Sequence, residues 1–224
     1  MNENKISFII CTNNNIWMDE CEKYINRLYV PEGYEVDIQK IEGASSMASG
    51  YNRGMNQSDA KYKVYMHHDV FIVNRYFLYC LLQIFKSDTS IGMFGVVGTE
   101  KMSVDGVMWN AKRVGGIGGW LSTDTDYEKY VYSIKDGLFD VVALDGCLIA
   151  TQYDLPWRED LFKEWDFYDV SQGFEFRKNG YRVVVPNQEY AWIVHDSKYM
   201  SLKYYDENRQ KFLNEYSSLV EFFE

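Results

Sequence analysis

The chain has 224 residues, with 23 Lys and Arg against 33 Asp and Glu, a net charge of −10, and 46% hydrophobic and 17% aromatic residues. That length fits one α/β domain with a sizeable core, and the apolar and aromatic content argues against disorder. No basic stripe interrupts the acidic balance, which argues against a nucleic-acid or anionic-membrane partner. A phosphate-bearing ligand would need a metal or backbone amides to offset the charge.

Ile6–Cys11 is a continuous apolar run closed by Thr12-Asn13-Asn14-Asn15, the pattern of a buried strand ending in a polar loop. Cys21, Tyr24, Ile25 and Leu28 recur at helical spacing, predicting a helix over roughly 17–29 that Pro31 and Gly33 end. Tyr34–Ile41 alternates as a second strand, Ser45–Gln57 reads as a helix, and Tyr62–Met66 as a third strand. Asn74 is placed to cap a helix carrying Phe77, Leu78, Leu81, Leu82 and Phe85, and Ile91–Val97 reads as a fourth strand. This alternation predicts an α/β, Rossmann-like, mostly parallel sheet flanked by helices, in a single domain. Ligands of such sheets sit outside the carboxyl ends of the strands. Thr12–Asn15 and His67–Asp69 both fall at that edge.

Residues 99–137, rich in Gly, Asp and Tyr, read as a long functional loop. Leu138–Thr151 returns to strand character, broken by Asp145-Gly146. Asp169–Lys178 reads as a helix, and Tyr181–Val185 and Tyr190–Val194 as strands. Leu202 to Phe223 carries the spacing of a C-terminal amphipathic helix, expected to pack on its own sheet, with a homodimer contact as the other use. Cys11, Cys21, Cys80 and Cys147 form no CxxC pair and read as buried free thiols of a reducing compartment. Met1–Lys5 lead straight into the first apolar run, without the pattern of a signal peptide, and no apolar segment approaches the ~20 residues of a membrane span. The expected location is the cytoplasm, with no transmembrane segment.

Three segments carry chemistry. In Val64-Tyr65-Met66-His67-His68-Asp69 an apolar strand ends in three metal-ligating residue types. On a strand, His67 and Asp69 share a face and His68 turns away. Trp192-Ile193-Val194-His195-Asp196-Ser197 repeats the arrangement, and all three histidines of the chain lie at such strand ends. A solvated strand end is the plain alternative for each. Imidazole ligation suits manganese better than magnesium. In Trp165-Asp166-Phe167-Tyr168-Asp169-Val170, Asp169 stands where a helix begins, either as its cap or as a general base. Trp109, Trp120, Trp157 and Trp165 either stack on sugar rings or belong to the core.

The order of these segments resembles a bacterial family 2-type glycosyltransferase with the GT-A fold. The resemblance rests on Ile9-Ile10-Cys11-Thr12-Asn13, on Tyr51-Asn52-Arg53-Gly54-Met55, and on Ala60 through Asp69, which is similar to an Ala-x-Tyr-(apolar)-Asp-x-Asp element. It continues through Phe167-Tyr168-Asp169 to Gly180-Tyr181-Arg182-Val183, and ends at Val194-His195-Asp196-Ser197. It covers nearly the whole chain. Cys11 stands where proline is usual, His67 where the first carboxylate of Asp-x-Asp is usual, and Ser171 where a second acidic residue often follows Asp169.

The resemblance implies a nucleotide-binding half at 1–98 and an acceptor-binding half with the C-terminal helix at 99–224. It implies that Thr12, Asn13, Glu42 and Asn52 contact the nucleotide-sugar donor. His68 would be an interior position of the Asp-x-Asp-like element, and Asp145-Gly146 a sugar-facing loop. Asp69 and His195 would ligate a divalent metal (Mn2+ or Mg2+), and Asp169 would be the catalytic base. Gly115–Gly119 and Trp120 would lie in a variable loop near donor and acceptor. The implied activity is an inverting sugar transfer from a donor, expected to be a UDP-sugar, to a carbohydrate, lipid-linked or peptide acceptor, as in polysaccharide biosynthesis. A catalytically silent nucleotide-sugar binder, a subunit of a larger transferase, and a zinc-dependent hydrolase are the alternatives.

Overall fold

The computed structural model of the protein describes residues 1–120, 127–133, 137–196 and 201–224. Its elements in chain order are β1 (Asn2–Thr12), α1 (Asn15–Ile25), β2 (Glu35–Glu42), α2 (Met47–Gln57), β3 (Ala60–His67), β4 (Val70–Ile72), α3 (Phe77–Ser87), β5 (Ile91–Gly95), β6 (Val97–Thr99), β7 (Arg113–Trp120), β8 (Tyr127–Ser133), β9 (Leu138–Asp140), β10 (Ala143–Leu144), β11 (Leu148–Thr151), α4 (Tyr168–Lys178), β12 (Arg182–Pro186), β13 (Ile193–His195) and α5 (Tyr205–Tyr216).

The main sheet has the order β2-β1-β3-β11-β5-β12-β9. Strands β2, β1, β3, β5 and β12 point one way, while β11 and β9 run against them, so the sheet is mostly parallel as the alternation predicts. Because strand side chains alternate between faces, Ile6, Phe8 and Ile10 of β1 join the core beneath α1 and α3. Ile9 and Cys11 join the core beneath α2 and α4. Both faces are covered, and each buried Ile, Leu or Phe contributes roughly 1.5–3 kcal/mol. Close seating of α2 depends on glycine: a Cβ on Gly54 would lie 2.4 Å from Ile9 Cγ2.

A second sheet has the order β10-β6-β7-β13-β4, with β8 paired to β7. It corrects the reading of 99–137 as a long loop. Strands β7 and β8 pair antiparallel from Gly115↔Ser133 to Trp120↔Tyr127, and β7 also pairs with β6 and β13. Two of the glycines that suggested a loop sit where the strand is crowded. A Cβ on Gly115 would sit 2.0 Å from the Val96 carbonyl oxygen, at a φ of +99°, and one on Gly119 would sit 3.0 Å from that of His195. Residues 121–126 and 134–136 of the expected loop lie outside the described residues.

Asn74 does not cap α3. The helix begins at Phe77, and the Asn74 side chain accepts from the Tyr76 N–H at 3.0 Å, forming a turn one step earlier. Helix α5 packs its buried Phe212 and Tyr216 on Phe167 and Phe174, that is, on α4 and the segment leading into it rather than on the sheet. All four cysteines are free; Cys11, Cys21 and Cys147 are buried and Cys80 partly so. Among the described residues no helix is long and apolar enough to cross a membrane.

Candidate active site

The site is built at the carboxyl edge of the main sheet. The register pairs Thr12 with Glu42 across β1 and β2, and Cys11 with His67 across β1 and β3, so the ends of these strands are level. Past β1 the chain turns into α1 through Asn14, whose side chain accepts from Ile16 N–H (3.0 Å) and Trp17 N–H (3.3 Å). Thr12 Oγ1 lies 3.0 Å from His68 Nδ1, so His68 turns toward β1 while His67 and Asp69 face elsewhere, as alternation requires. Asn13 and Glu42 are exposed at this edge, and the Glu42 carbonyl accepts from the Arg53 guanidinium.

Strands β13 and β4 pair antiparallel with His195 opposite Val70, and the Asp196 N–H donates to the Asp69 carbonyl at 2.9 Å. That ladder brings His195, 126 positions after Asp69 in the chain numbering, against it: His195 Nε2 lies 3.4 Å from Asp69 Oδ1 and 3.5 Å from His67 Nδ1. The ligand atoms of His67, Asp69 and His195 all lie within 4.8 Å of one another. Burial, with the neighbouring His195 charge, pushes the His67 imidazole down to about 4, which keeps it neutral. Burial is the largest single influence on Asp69 and His195 and opposes charge on both, but their mutual hydrogen bond and the surrounding opposite charges together outweigh it: Asp69 is held down at about 2 and His195 is raised. Two imidazole nitrogens and an ionised carboxylate converging from two strand ends form a donor set that fits a divalent cation, with a preference for manganese over magnesium.

Asp145 and Gly146 form the turn between β10 and β11. Because β11 is antiparallel to β3, with Leu148 opposite Met66, this turn falls at the same edge. Asp145 Oδ1 accepts from the Cys147 N–H at 2.9 Å, and the Gly146 N–H donates to Asp169 Oδ2 at 2.8 Å. Asp169 stands in the first turn of α4. Burial and then the Asp145 charge push its carboxyl up to about 7, against the pull of backbone N–H groups. It is not the cap of α4. That position belongs to Phe167, which makes no side-chain cap and has a left-handed backbone (φ 63°). A buried, non-glycine residue in that conformation is strained by roughly 1–3 kcal/mol and is held by the packing around it, here Phe162, Tyr205 and Phe212. It launches α4 so that Tyr168 reaches His67 Nε2 at 2.5 Å while Asp169 reaches Gly146.

The structure therefore gathers Thr12, His68, Asp69, Asp145, Gly146, Asp169 and His195 at one edge, and adds His67 and Tyr168. The strand period already put His67 on the face of Asp69; nothing in the sequence singled out Tyr168. Asn52 is buried, and its carboxamide donates to the Trp157 carbonyl (2.9 Å) and accepts from the Trp157 N–H (2.8 Å), which ties α2 to the segment that precedes α4. Trp157 is likewise core, packed on Tyr51 and Tyr65, whereas Trp109 and Trp165 are exposed. Ser171 is buried and its hydroxyl donates to the Tyr168 carbonyl. Ser197 and the Trp120 side chain lie outside what the structure describes.

The chain matches the glycosyltransferase-like family over residues 7–216. It belongs to that family. Comparison with curated proteins finds no match. Solved structures of similar fold include the mannosyltransferase PcManGT from Pyrobaculum calidifontis in complex with GDP-Man and Mn2+, at 14% identity and a TM-score of 0.60, covering 98% of this chain and 65% of that one. S. aureus TarS 1–349 in complex with UDP is similar at 12% identity and a TM-score of 0.55, covering 94% of this chain and 65% of that one. GalNAc-T7 with UDP, GalNAc and Mn2+ is similar at 9% identity and a TM-score of 0.61, covering 95% of this chain and 48% of that one. Identities this low show the fold alone, and that fold is the GT-A type. This member of the family spans less than two thirds of the length of each of the three.

Proposed function

We propose that this family member transfers a sugar from a nucleotide-diphosphate donor, expected to be a UDP-sugar, to an acceptor hydroxyl with inversion. The observation that supports it is the meeting of two chemistries at one sheet edge: a His67–Asp69–His195 cluster with a metal-ligand donor set, and a partly buried carboxylate, Asp169, raised into the range of a general base at neutral pH. In fold relatives the bound molecules are UDP or GDP-Man, in two of them with Mn2+.

His67, Asp69 and His195 would hold the cation. A divalent cation there supplies positive charge against the departing diphosphate, which an acidic chain otherwise lacks. Thr12, Asn13 and His68, beside the cluster at the end of β1, face the donor's nucleoside side. Asp169 accepts the acceptor's hydroxyl proton as that oxygen bonds the anomeric carbon; the anomeric C–O bond breaks and its electron pair leaves with the diphosphate. Holding both substrates in one crevice supplies much of the rate.

The test is release of nucleoside diphosphate from a panel of UDP-sugars with Mn2+, with and without chelator. Chelator-sensitive release supports the reading. Binding of a UDP-sugar without release under any condition would point instead to a silent nucleotide-sugar binder. Tightly held zinc after purification, with release indifferent to Mn2+, would favour hydrolase chemistry, since two His and a carboxylate also suit zinc.

A further inference from the structure

We propose that Tyr168 is the positioning residue for His67: the His67 Nε2–H donates to the Tyr168 phenol oxygen, which leaves Nδ1 with a free lone pair facing Asp69 and His195. The inference rests on the cation site proposed above.

A neutral imidazole carries one N–H, and only the other nitrogen can ligate a metal. His67 divides its ring between two neighbours. Nε2 lies 2.5 Å from Tyr168 Oη, and Nδ1 lies 3.5 Å from His195 Nε2. Which nitrogen holds the proton therefore decides whether His67 belongs to the cluster or only stands beside it. A buried phenol oxygen at hydrogen-bond distance from Nε2 fixes both the tautomer and the ring orientation, the role that outer partners play for metal-bound histidines.

Tyr168 is itself held by three features. Its ring packs in the core on Tyr51 and Trp157. The left-handed backbone of Phe167 sets the direction in which α4 starts. Gly146 leaves room for the hydroxyl: a Cβ there would lie 2.1 Å from Tyr168 Oη. Gly146 thus serves two ends of the site, clearing space for Tyr168 with its missing side chain and donating its N–H to Asp169. Consecutive residues of one helical turn, Tyr168 and Asp169, tie the ligand cluster to the carboxylate.

The test compares the parent protein with Tyr168→Phe after chelator stripping, titrating Mn2+ and reading the free ion by electron paramagnetic resonance. The expected result is Mn2+ affinity 10–100-fold weaker in the variant, which still unfolds cooperatively, at a modestly lower midpoint because one buried hydrogen bond is lost. Imidazole 15N spectra of the metal-free parent protein give a second readout that does not depend on the variant folding, and His67 is expected as the Nε2–H tautomer. Equal Mn2+ affinity in parent and variant, or an Nδ1–H tautomer in the parent, overturns the inference and leaves the cation site standing. A parent protein that does not bind Mn2+ overturns both.

Discussion

Asp169 carries the sharpest single-residue expectations. Its carboxyl is pushed from the ordinary 3.8 up to about 7 by burial and by Asp145. A base must be ionised to act, so transfer should rise with pH through about 7 and level off above it. Asp169→Asn should lower turnover by roughly 10²–10⁴-fold while donor affinity stays at the parent value; normal turnover in that variant would rule out the base assignment. The same shift has a stability consequence of opposite sign. Between 3.8 and about 7 the folded chain keeps a proton that the unfolded chain has lost, so ionising Asp169 costs stability as pH rises across that window. Asp169→Asn removes the cost. Its unfolding midpoint, relative to the parent, should climb from pH 4 to pH 8, with an upper bound on the order of 4 kcal/mol. A difference that stays flat with pH would show that the carboxyl is not perturbed.

At this scale the sequence was legible where strand ends concentrate ligand chemistry. Asp69 and His195 stand out because polar groups close apolar runs, Asp169 because an acidic residue stands where a helix begins, and the strand period allowed His67 to join the first two. Tyr168 was silent, since an aromatic residue at the start of a helix signals packing, and its link to His67 spans 101 positions. The Asn52 hydrogen bonds to Trp157 were silent for the related reason that a motif position does not reveal where a carboxamide spends its hydrogen bonds.

At the scale of elements, strands β1 and β3 and helices α1 and α3 were legible from periodicity, because each buries a continuous or periodic apolar face. The second sheet was legible only at some of its strands, such as β13, and not at its centre. Its strand β7 holds Gly115, Gly116, Gly118 and Gly119, so it offers almost no apolar pattern. Gly115 and Gly119 answer to neighbours that only the fold supplies. Gly115→Ala should accordingly lower the unfolding midpoint clearly, because its Cβ would meet the Val96 carbonyl at a φ that L side chains rarely adopt. An unchanged midpoint in thermal denaturation would contradict the crowding described for this strand. The C-terminal helix makes a second case. Phe212 is fully buried against Phe167 and Phe174, so Phe212→Ala should cost about 3–5 kcal/mol in denaturant unfolding. It should also slow transfer in the protein that remains folded, since it loosens the packing that holds the strained Phe167 backbone at the start of α4.

For the whole molecule the governing fact is charge. On the proposed function, a chain of net charge −10 holds a ligand that brings a diphosphate. The fold answers by collecting five carboxyl-edge contributors — the ends of β1, β3 and β13, the β10–β11 turn and the start of α4 — around a cluster able to take a divalent cation. Donor and cation should therefore bind cooperatively, each weakly without the other. The most direct measurement is thermal unfolding of the parent protein with a panel of UDP-sugars alone, with Mn2+ alone, with both, and with both plus chelator. The account predicts a midpoint rise with both that exceeds the sum of the separate rises and that chelator reverses; a ligand at about 100 times its Kd stabilises by about 2.7 kcal/mol. No rise with any nucleotide sugar, with or without Mn2+, would contradict it.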